Sequence, residues 1–409
     1  MATINDASAL FKRVFGDGTI KAVPDFAKLQ KEVPFSKKEK LGDMYVVPVL
    51  LTHEQGFSYG AHGDGAFSLN AAVAGAVKQA QVRGSMIVLR SQLSYEDVYK
   101  AVDSGPAAFE SSVGLVVDNM QNSFAKRQEL MFLYGQNGLG IVASNTAGVL
   151  VITAASWAPG IWSGMKDAIL EAWTGITASE TRHDNGLVVA SVDYIAKSVT
   201  VTGTSSSVVA NDVLYFLSAR TNIDYKEAVG LDKIISTTSG TLFNINATSY
   251  ELWRGQQYAV SGAISMLGVL NAAAQASNLG LMEKAKLYLP TSRWTKLNSD
   301  QAALRRYGAQ SSKAESGFQS ISYYSTNGEI SVEAHPFIKE SEGFLLANPA
   351  KRITRVGASD ISFRRSGMLE GEVFRELNDN AGLELRAFSD MGILLQTPAQ
   401  NVKLTGITG

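Results

Sequence analysis

The clearest helical pattern in the chain begins at Pro106. Proline is favoured in the first turn of a helix because its missing N–H would have no intrahelical partner there. Apolar residues then recur at steps of three and four, at Phe109, Val113, Val116, Met120 and Phe124. Gly135 is typical of a residue just past a helix end. The pattern predicts one helix over residues 106–134, about 40 Å long at the standard rise per residue, which would be a structural spine.

Two apolar stretches flank a glycine-rich run nearer the N-terminus. Residues 44–52 and 86–89 have the composition of strands, and residues 56–75 between them are rich in glycine and other small residues. Structureless connections beyond about 12 to 15 residues are uncommon in compact domains unless they serve a purpose. We therefore predict an extended hairpin. Residues 1–48 have only scattered apolar anchors, which is typical of a terminal arm that is ordered where it lies on something else.

The remaining segments predict strands and helices that are segregated along the chain. Residues 183–254 show period-two alternation between turn-rich connections and predict an all-β insertion. Helices are predicted at residues 165–173 and 259–281. Further strands are predicted at residues 149–152, 286–289, 330–334, 343–346 and 384–395. This order predicts an α+β fold.

Composition places the chain among folded proteins. Of its 409 residues 45% are hydrophobic, and 37 basic residues nearly cancel 38 acidic ones, whereas disordered chains combine low hydrophobicity with high net charge. A net charge of −1 gives no protein-wide field that would attract nucleic acid. Cysteine is absent, which excludes disulfides, thiolate nucleophiles and cysteine-based metal sites.

Neither a secretory signal nor a membrane span is predicted. The first ten residues have no basic region followed by an apolar stretch, so we expect synthesis in the cytoplasm. Residues 255–282 form the longest uncharged segment, but polar residues interrupt it repeatedly. A buried helix is therefore favoured over a helix that crosses a bilayer.

The histidines of the chain match no metal-binding motif. His53, Glu54, His62 and Asp64 lie close together in sequence on the predicted hairpin. Their spacing fits no recognised ligand pattern, and metal sites need a defined geometry with supporting partners. Solvated loop residues are the favoured interpretation.

Two short motifs partly match a phosphate-binding loop and a catalytic serine–lysine pair, but neither predicts such a site. Residues 135–140 (GQNGLG) follow a predicted helix instead of preceding one, which favours a helix stop over a phosphate-binding loop. Ser163 and Lys166 have the Ser-x-x-Lys spacing, in which a helix places a lysine one turn after a serine, but the accompanying Ser-Asp-Asn and Lys-Thr-Gly motifs are absent. A pair of carboxylates distant in sequence stays open, although nothing points to one.

Taken in order, these parts resemble the major capsid proteins of tailed bacteriophages, which have the Hong Kong 97-like fold. In that family the arm and the extended loop reach over neighbouring subunits. Four stretches are similar to the start of the spine helix, the end of the axial-domain core, the peripheral return hairpin and the C-terminal strand, namely residues 105–110, 287–294, 330–349 and 387–398.

The resemblance implies a division of the chain into an N-terminal arm (1–48), an extended hairpin loop (49–92), a peripheral domain with the spine helix (93–141), an axial domain (142–329) containing a β-rich insertion (183–254), peripheral return strands (330–380) and a C-terminal axial-domain strand (381–409). Some family members cross-link a lysine of the loop to an asparagine of a neighbour. Lys78 is the one lysine of this hairpin, but no motif identifies a partner, so we do not carry that activity over.

The resemblance further implies a structural protein without catalytic turnover. Such a subunit would form pentamers and hexamers in an icosahedral shell around double-stranded DNA, which it would contact without sequence specificity. Its partners would be copies of itself, together with portal and scaffolding or decoration proteins of the same phage. No cofactor, metal or membrane is expected, and the protein would be assembled in the host cytoplasm and reside in the virion capsid. A near-neutral subunit suits a shell because like-charge repulsion would accumulate over many copies.

Six residues of the hairpin are predicted to contact neighbouring subunits: the apolar anchors Phe57, Tyr59 and Phe67 and the charged residues Lys78, Arg83 and Arg90. For each one alone, a solvated or locally packed loop residue is an equally open interpretation. Two other functions stay as alternatives. One is an encapsulin-like bacterial compartment shell, which shares the fold, and the other is a serine hydrolase that uses Ser163 and Lys166.

Overall fold

The computed structural model describes residues 28–37, 44–63, 65–94, 106–177, 179–298, 320–325, 328–363, 374–376 and 382–408. Its α-helices are α1 (Leu29–Glu32), α2 (Pro106–Tyr134), α3 (Pro159–Trp162), α4 (Leu231–Ser236), α5 (Met266–Asn278), α6 (Thr291–Asn298) and α7 (Pro349–Arg352). Its strands are β1 (Phe35–Lys37), β2 (Met44–Leu50), β3 (Val77–Arg83), β4 (Ser85–Ser94), β5 (Gly140–Thr146), β6 (Val149–Ile152), β7 (Ile169–Trp173), β8 (Arg182–Asp193), β9 (Ser198–Thr202), β10 (Val213–Phe216), β11 (Thr241–Leu242), β12 (Ile245–Asn246), β13 (Gln256–Gly262), β14 (Ala285–Leu289), β15 (Ser320–Ser325), β16 (Gly328–Ala334), β17 (Gly343–Ala347), β18 (Ile353–Ser362), β19 (Phe374–Glu376), β20 (Gly382–Leu395) and β21 (Val402–Ile407).

The long helix predicted at residues 106–134 is confirmed as α2, which we call the spine helix. Its last two turns, residues 128–134, are buried. The helix ends before Gly135, where an added Cβ atom would lie 2.2 Å from the carbonyl oxygen of Ala228. Only glycine permits so close an approach of two backbones. Packing therefore fixes where the spine helix ends.

A five-stranded sheet, the spine sheet, lies against this helix. Its strand β20 pairs antiparallel with β4 on one side and with β18 and β19 on the other, and β1 joins β18 in parallel. Met120 and Phe124 of the spine helix pack against Leu385 and Ala387 of β20. The strand predicted at residues 384–395 is confirmed as β20.

The predicted hairpin is confirmed, but its second strand is a different one. β2 pairs with β3 from Met44 opposite Arg83 to Leu50 opposite Val77, with residues 51–76 as the loop. The stretch predicted as the second strand, residues 86–89, belongs to β4 of the spine sheet. β3 escaped prediction because most of its residues are exposed and polar. Of the predicted arm, residues 1–27 and 38–43 lie outside the described residues.

Strands β5 to β10 close into a six-stranded barrel in the order β10-β5-β6-β9-β8-β7. The insertion predicted at residues 183–254 covers only part of it, since β5, β6 and β7 come earlier in the chain and α4 lies within the range. The helix predicted at residues 165–173 is wrong, because Ile169–Trp173 is strand β7. Gly164 and Asp167 before it have φ values of 67° and 65°, which no right-handed helix contains.

A six-stranded sheet, the C-terminal sheet, has the order β13-β21-β17-β14-β16-β15, and α5 packs on it. Strands predicted at residues 286–289, 330–334 and 343–346 are confirmed here. The helix predicted at residues 259–281 begins later, at Met266, because Gln256–Gly262 forms β13 and the Ser265 hydroxyl accepts the N–H of Gly268 at 3.2 Å.

β16 and β17, which lie in the stretch that resembles the return hairpin, pair with β14 in this sheet. Residues 381–409 contribute to both sheets, through β20 and β21. The predicted domain boundaries themselves stay a prediction. None of the helices in the described ranges is long and apolar enough to cross a membrane.

Candidate assembly surface

The loop between β2 and β3, residues 51–76, carries a row of exposed apolar side chains. Among the predicted anchors, Tyr59 is 91% exposed, Phe57 66% and Phe67 47%. Leu69 and Val73, which the sequence analysis did not single out, are 80% and 51% exposed. Soluble monomers rarely expose contiguous apolar patches that have no binding role. The loop is therefore a candidate contact surface.

The base of this loop is held by backbone hydrogen bonds. The N–H of Leu51 donates to the carbonyl oxygen of Ala76 at 2.8 Å, and the N–H of Gln55 donates to that of Val73 at 3.1 Å. All side chains from residue 65 to residue 74 are exposed. A segment with so little buried surface has low local stability by itself.

The three predicted charged residues lie on strands, apart from the loop anchors. Lys78 is exposed on β3. Arg83 forms an ion pair with Asp224 and, against the opposing effect of burial, its hydrogen bond lowers the pKa of that carboxyl. The Nε of Arg90 lies 3.0 Å from the carboxylate of Glu384. Arg83 and Arg90 thus anchor the hairpin and β4 to their own chain, and the six predicted residues do not form one cluster.

A buried carboxylate fixes the start of the described chain. Glu129 of the spine helix is fully buried, and its two oxygens accept the backbone N–H groups of Leu29 and Gln30, each at 2.8 Å. His335 lies 2.9 Å from the same carboxylate through Nε2. The N–H of Phe337 donates to Nδ1 at 3.2 Å, so Nδ1 has no proton and Nε2–H is the donor to Glu129.

Residues 28–37 also connect the two sheets. Glu32 accepts hydrogen bonds from the hydroxyl of Tyr288 at 2.7 Å and pairs with Lys286 at 2.9 Å, both on β14. Arg355 of β18 donates from Nε to the carbonyl oxygen of Val33 at 3.0 Å. These contacts build the segment into the body, so it is not a free arm.

A second buried network ties the C-terminal strand to the end of the spine helix. Lys403 of β21 contacts Asp232 and lies 2.8 Å from Glu342. Burial alone would lower the pKa of Lys403, but the two carboxylates raise it above its ordinary value. The hydroxyl of Tyr134 donates to Glu342 at 3.2 Å. Glu342 therefore links the C-terminal strand to the end of the spine helix.

The structure gives no support to a metal site within the residues that it describes. No group of three or more acidic or histidine side chains is arranged there to hold an ion. His53 and His62 are exposed on the loop, and Asp64 lies outside the described residues.

The expected helical spacing of Ser163 and Lys166 is wrong. Helix α3 ends at Trp162, and Gly164 with its φ of 67° separates the two residues. Lysine therefore does not follow serine by one helical turn. The carbonyl oxygen of Ser163 accepts a hydrogen bond from Lys126 of the spine helix, which is a packing contact.

Comparison with known proteins addresses the fold. No family model and no curated protein matches the sequence. The structure is similar to a chain of the cyanophage A-1(L) capsid, with a TM-score of 0.50 and 10% sequence identity over 97% of this chain and 95% of that one. The chain has a phage-capsid fold. The α+β, Hong Kong 97-like architecture predicted from the order of parts is thereby confirmed, and identity this low establishes the fold alone.

Two weaker similarities accompany it. One is to the capsid of an empty GTA particle, with a TM-score of 0.49 and 9% identity over 100% of this chain and 99% of that one. The other is to a virus-like particle from Pyrococcus furiosus, with a TM-score of 0.34 and 12% identity over 98% of each chain.

Proposed function

We propose that this chain is the major capsid protein of a tailed bacteriophage. It assembles with copies of itself into pentamers and hexamers of an icosahedral shell that encloses double-stranded DNA, without catalytic turnover. Portal and scaffolding or decoration proteins are its further partners, assembly occurs in the host cytoplasm, and the protein resides in the virion capsid. The observation that carries the proposal is the capsid fold, which the chain shares with the cyanophage A-1(L) subunit over almost its full length.

The exposed loop supports self-association. Phe57, Tyr59 and Phe67 are exposed on a loop whose own chain covers little of it. Large obligate interfaces, typically 2,000 Å² or more of total buried area, need such apolar surface. Phe57 and Tyr59 serve as anchors on a neighbour, and Lys78 supplies a charged contact. Arg83 and Arg90 add to these contacts from their ion pairs at the hairpin base.

Expression of the full chain alone, followed by sedimentation and negative-stain microscopy, tests the proposal. Closed shells or separate capsomers are expected. Replacing Phe57 and Tyr59 by serine should leave folded protein that sediments as small species. Ile195, which is 96% exposed on the barrel, provides the control, since Ile195→Ser should assemble normally. A purified, well-folded protein that stays monomeric at high concentration, with and without a co-expressed phage scaffolding protein, would contradict the proposal.

The arm is tested by truncation at a place that the structure selects. Removing residues 1–27 leaves the contacts of Leu29 and Gln30 with Glu129 intact. We expect folded protein that forms incomplete or misassembled shells. Complete shells from this truncated chain would show that the arm has no role in assembly.

A further inference from the structure

Residues 218–230, which we call the crossing segment, lie across the end of the spine helix. The N–H of Gly230 donates to the carbonyl oxygen of Gly135 at 3.0 Å, and a Cβ atom added at Gly230 would lie 2.4 Å from the backbone nitrogen of Gly135. A side chain would not fit between backbones this close. Asp224 of the same segment pairs with Arg83 at the base of the hairpin. The crossing segment thus contacts both the spine helix and the hairpin.

Glu227 of the crossing segment lines a small and mostly apolar cavity between the spine helix and β10. The other side chains of this cavity include those of Leu130, Met131, Tyr134, Leu139, Tyr215 and Phe216. Within the described residues the carboxylate accepts one hydrogen bond, from the backbone N–H of Gln136 at 3.4 Å, which is longer than the usual range of about 2.7 to 3.2 Å. Apolar surroundings disfavour a charged carboxylate, and burial raises the pKa of Glu227 to about 7. The carboxyl therefore keeps its proton in mildly acidic solution.

Arg127 of the spine helix is the charged residue that acts on Glu227, and its guanidinium is placed on another group. The Cζ atom of Arg127 lies 3.0 Å from the centre of the Phe216 ring. Burial raises the pKa of Glu227, and the hydrogen bond from Gln136 and the charge of Arg127 oppose that rise only in part. In the part of the chain that the structure describes, neither Arg127 nor Glu227 has an ion-pair partner within 4.0 Å. A base and an acid therefore lie near each other in poorly hydrated surroundings without forming an ion pair.

The other titratable groups beside this cavity keep one charge state in the pH range where Glu227 titrates. Burial raises the pKa of Tyr134 and that of Tyr215 above the ordinary value, so both hydroxyls stay neutral. Burial lowers the pKa of Arg127 to about 10 and that of Lys126, its neighbour on the helix, to about 8, so both stay charged. Among the described groups around the cavity, only Glu227 changes its charge below neutral pH.

We infer that the protonated side chain of Glu227 keeps the crossing segment on the end of the spine helix, that loss of this proton opens the segment locally, and that Arg127 sets the pH at which this happens. A neutral carboxyl fits an apolar cavity, whereas an ionised carboxylate without a partner is costly to bury. Local opening gives the ionised group access to water, and its proton is released to the solvent. The chain thus has a pH-sensitive contact between the spine helix and the crossing segment, which the proposed function does not include.

The pH dependence of the opening follows from the two environments of Glu227. In the open segment the carboxyl has its ordinary pKa of 4.5, and in the closed segment its pKa is about 7. The open population should therefore rise about tenfold for each pH unit between these two values and stay constant at higher pH. Glu227→Gln has a neutral side chain of the same shape at every pH and should abolish the rise.

Hydrogen exchange of the full-length protein, followed by mass spectrometry, tests this expectation. Exchange of a peptide that covers residues 218–230 is measured in the unchanged protein and in Glu227→Gln at the same pH, and the ratio of the two rates cancels the direct effect of pH on exchange. The ratio should rise about a hundredfold from about pH 5 to about pH 7, and a constant ratio would overturn the inference. Low concentrations of urea separate local opening from unfolding, because only unfolding exposes enough surface to respond. Exchange of residues 218–230 that rises with urea as steeply as that of α5 would exclude local opening.

Arg127→Met tests the role of the guanidinium. Without this charge Glu227 should keep its proton to a higher pH, so the rise, measured against Arg127→Met combined with Glu227→Gln, should continue beyond about pH 7. A contact of Arg127 with Phe216 that served packing alone would instead speed exchange equally at every pH.

Lys226→Met is the matched control, because Lys226 is exposed beside Glu227 in the sequence. The rise in this variant should end at the same pH as in the unchanged protein. If the rise in Arg127→Met also ends there, Arg127 does not set the pH of opening. These measurements do not require assembled shells, so their outcome is independent of the proposed function.

Discussion

Glu129→Gln tests how firmly the base of the arm is built into the body. The carboxylate is fully buried and accepts three hydrogen bonds, from Leu29 and Gln30 at 2.8 Å and from His335 at 2.9 Å. Glutamine has the same shape but only one oxygen. In the better of its two orientations that oxygen keeps Leu29 and His335, and the amide NH₂ then faces the N–H of Gln30.

The expected loss follows from these contacts. A hydrogen bond to a charged group contributes about 1.5 to 3 kcal/mol, and a buried donor without an acceptor costs about 1 to 3 kcal/mol. Losing the hydrogen bond of Gln30 and weakening those of Leu29 and His335 should together cost about 3 kcal/mol of stability at this site. If the change opens residues 29–37 locally, the amides of Leu29 and Gln30 should exchange about a hundredfold faster, since 1.4 kcal/mol is about a factor of ten.

Hydrogen exchange followed by mass spectrometry measures this opening, and urea denaturation of soluble capsomers shows whether the whole body is weakened as well. Glu251→Gln is the control, because Glu251 is exposed and surface changes usually stay within about 0.5 kcal/mol. Identical exchange of Leu29 and Gln30 in the two variants would refute the assignment of Glu129 as the residue that holds the arm base.

Other changes test the body. Lys403→Met leaves the buried carboxylate of Asp232 and the partly buried carboxylate of Glu342 without this cation and should lower the free energy of unfolding by about 3 to 5 kcal/mol, measured by urea denaturation. Burial raises the pKa of Glu227 from 4.5 to about 7. The folded state thus retains a proton that the unfolded chain releases, so stability should fall as pH rises from about 4.5 to about 7, and Glu227→Gln should flatten that slope. Gly255→Ala would place a Cβ 1.9 Å from the carbonyl oxygen of Ile235 and should give insoluble protein, whereas Gly262→Ala, with no atom within 4 Å, should be soluble.

The sequence predicted best those elements whose pattern is local. The spine helix has a proline start, apolar steps of three and four and a glycine stop, and its predicted bounds are those of α2. β14 and β17 are compact apolar runs, and β20 alternates apolar with charged residues before an apolar end; the predicted strands agree with all three within a few residues. These elements bury most of their side chains, so their apolar residues indicate in the sequence which segments lie in the core.

The failures have a shared physical cause in partners that are distant in sequence. β3 is polar because the hairpin leaves it exposed, so its residues VKQAQVR did not indicate a strand. The sequence of β7 is equally compatible with a short helix, and it forms a strand because it pairs with β8 and β10 in the barrel. The pairing of β16 and β17 with β14 was not predicted, because sequence order does not say which strands become neighbours.

The buried network at the arm base was missed as well, although a signal was present. Gln128 and Glu129 stand directly before the apolar run LMFLY on the buried end of the spine helix. A charge so placed needs a partner, but the partners Leu29 and His335 are about a hundred and two hundred residues away. Without the fold, neither could be chosen from the sequence.

The distribution of partners indicates what kind of force drives assembly. Arg83 and Arg90, the charges expected to meet neighbours, are already paired within their own chain, so a neighbour would have to compete with Asp224 and Glu384 for them. The exposed apolar side chains of the loop have little cover from their own chain. Apolar association is driven by release of water and is only weakly screened by salt, whereas contacts between exposed charges weaken as ionic strength rises. Subunit contacts built on this loop should therefore persist at high salt, because their free energy comes from burial of its apolar side chains. The ion pairs of Arg83 and Arg90 orient the hairpin and β4 on their own chain.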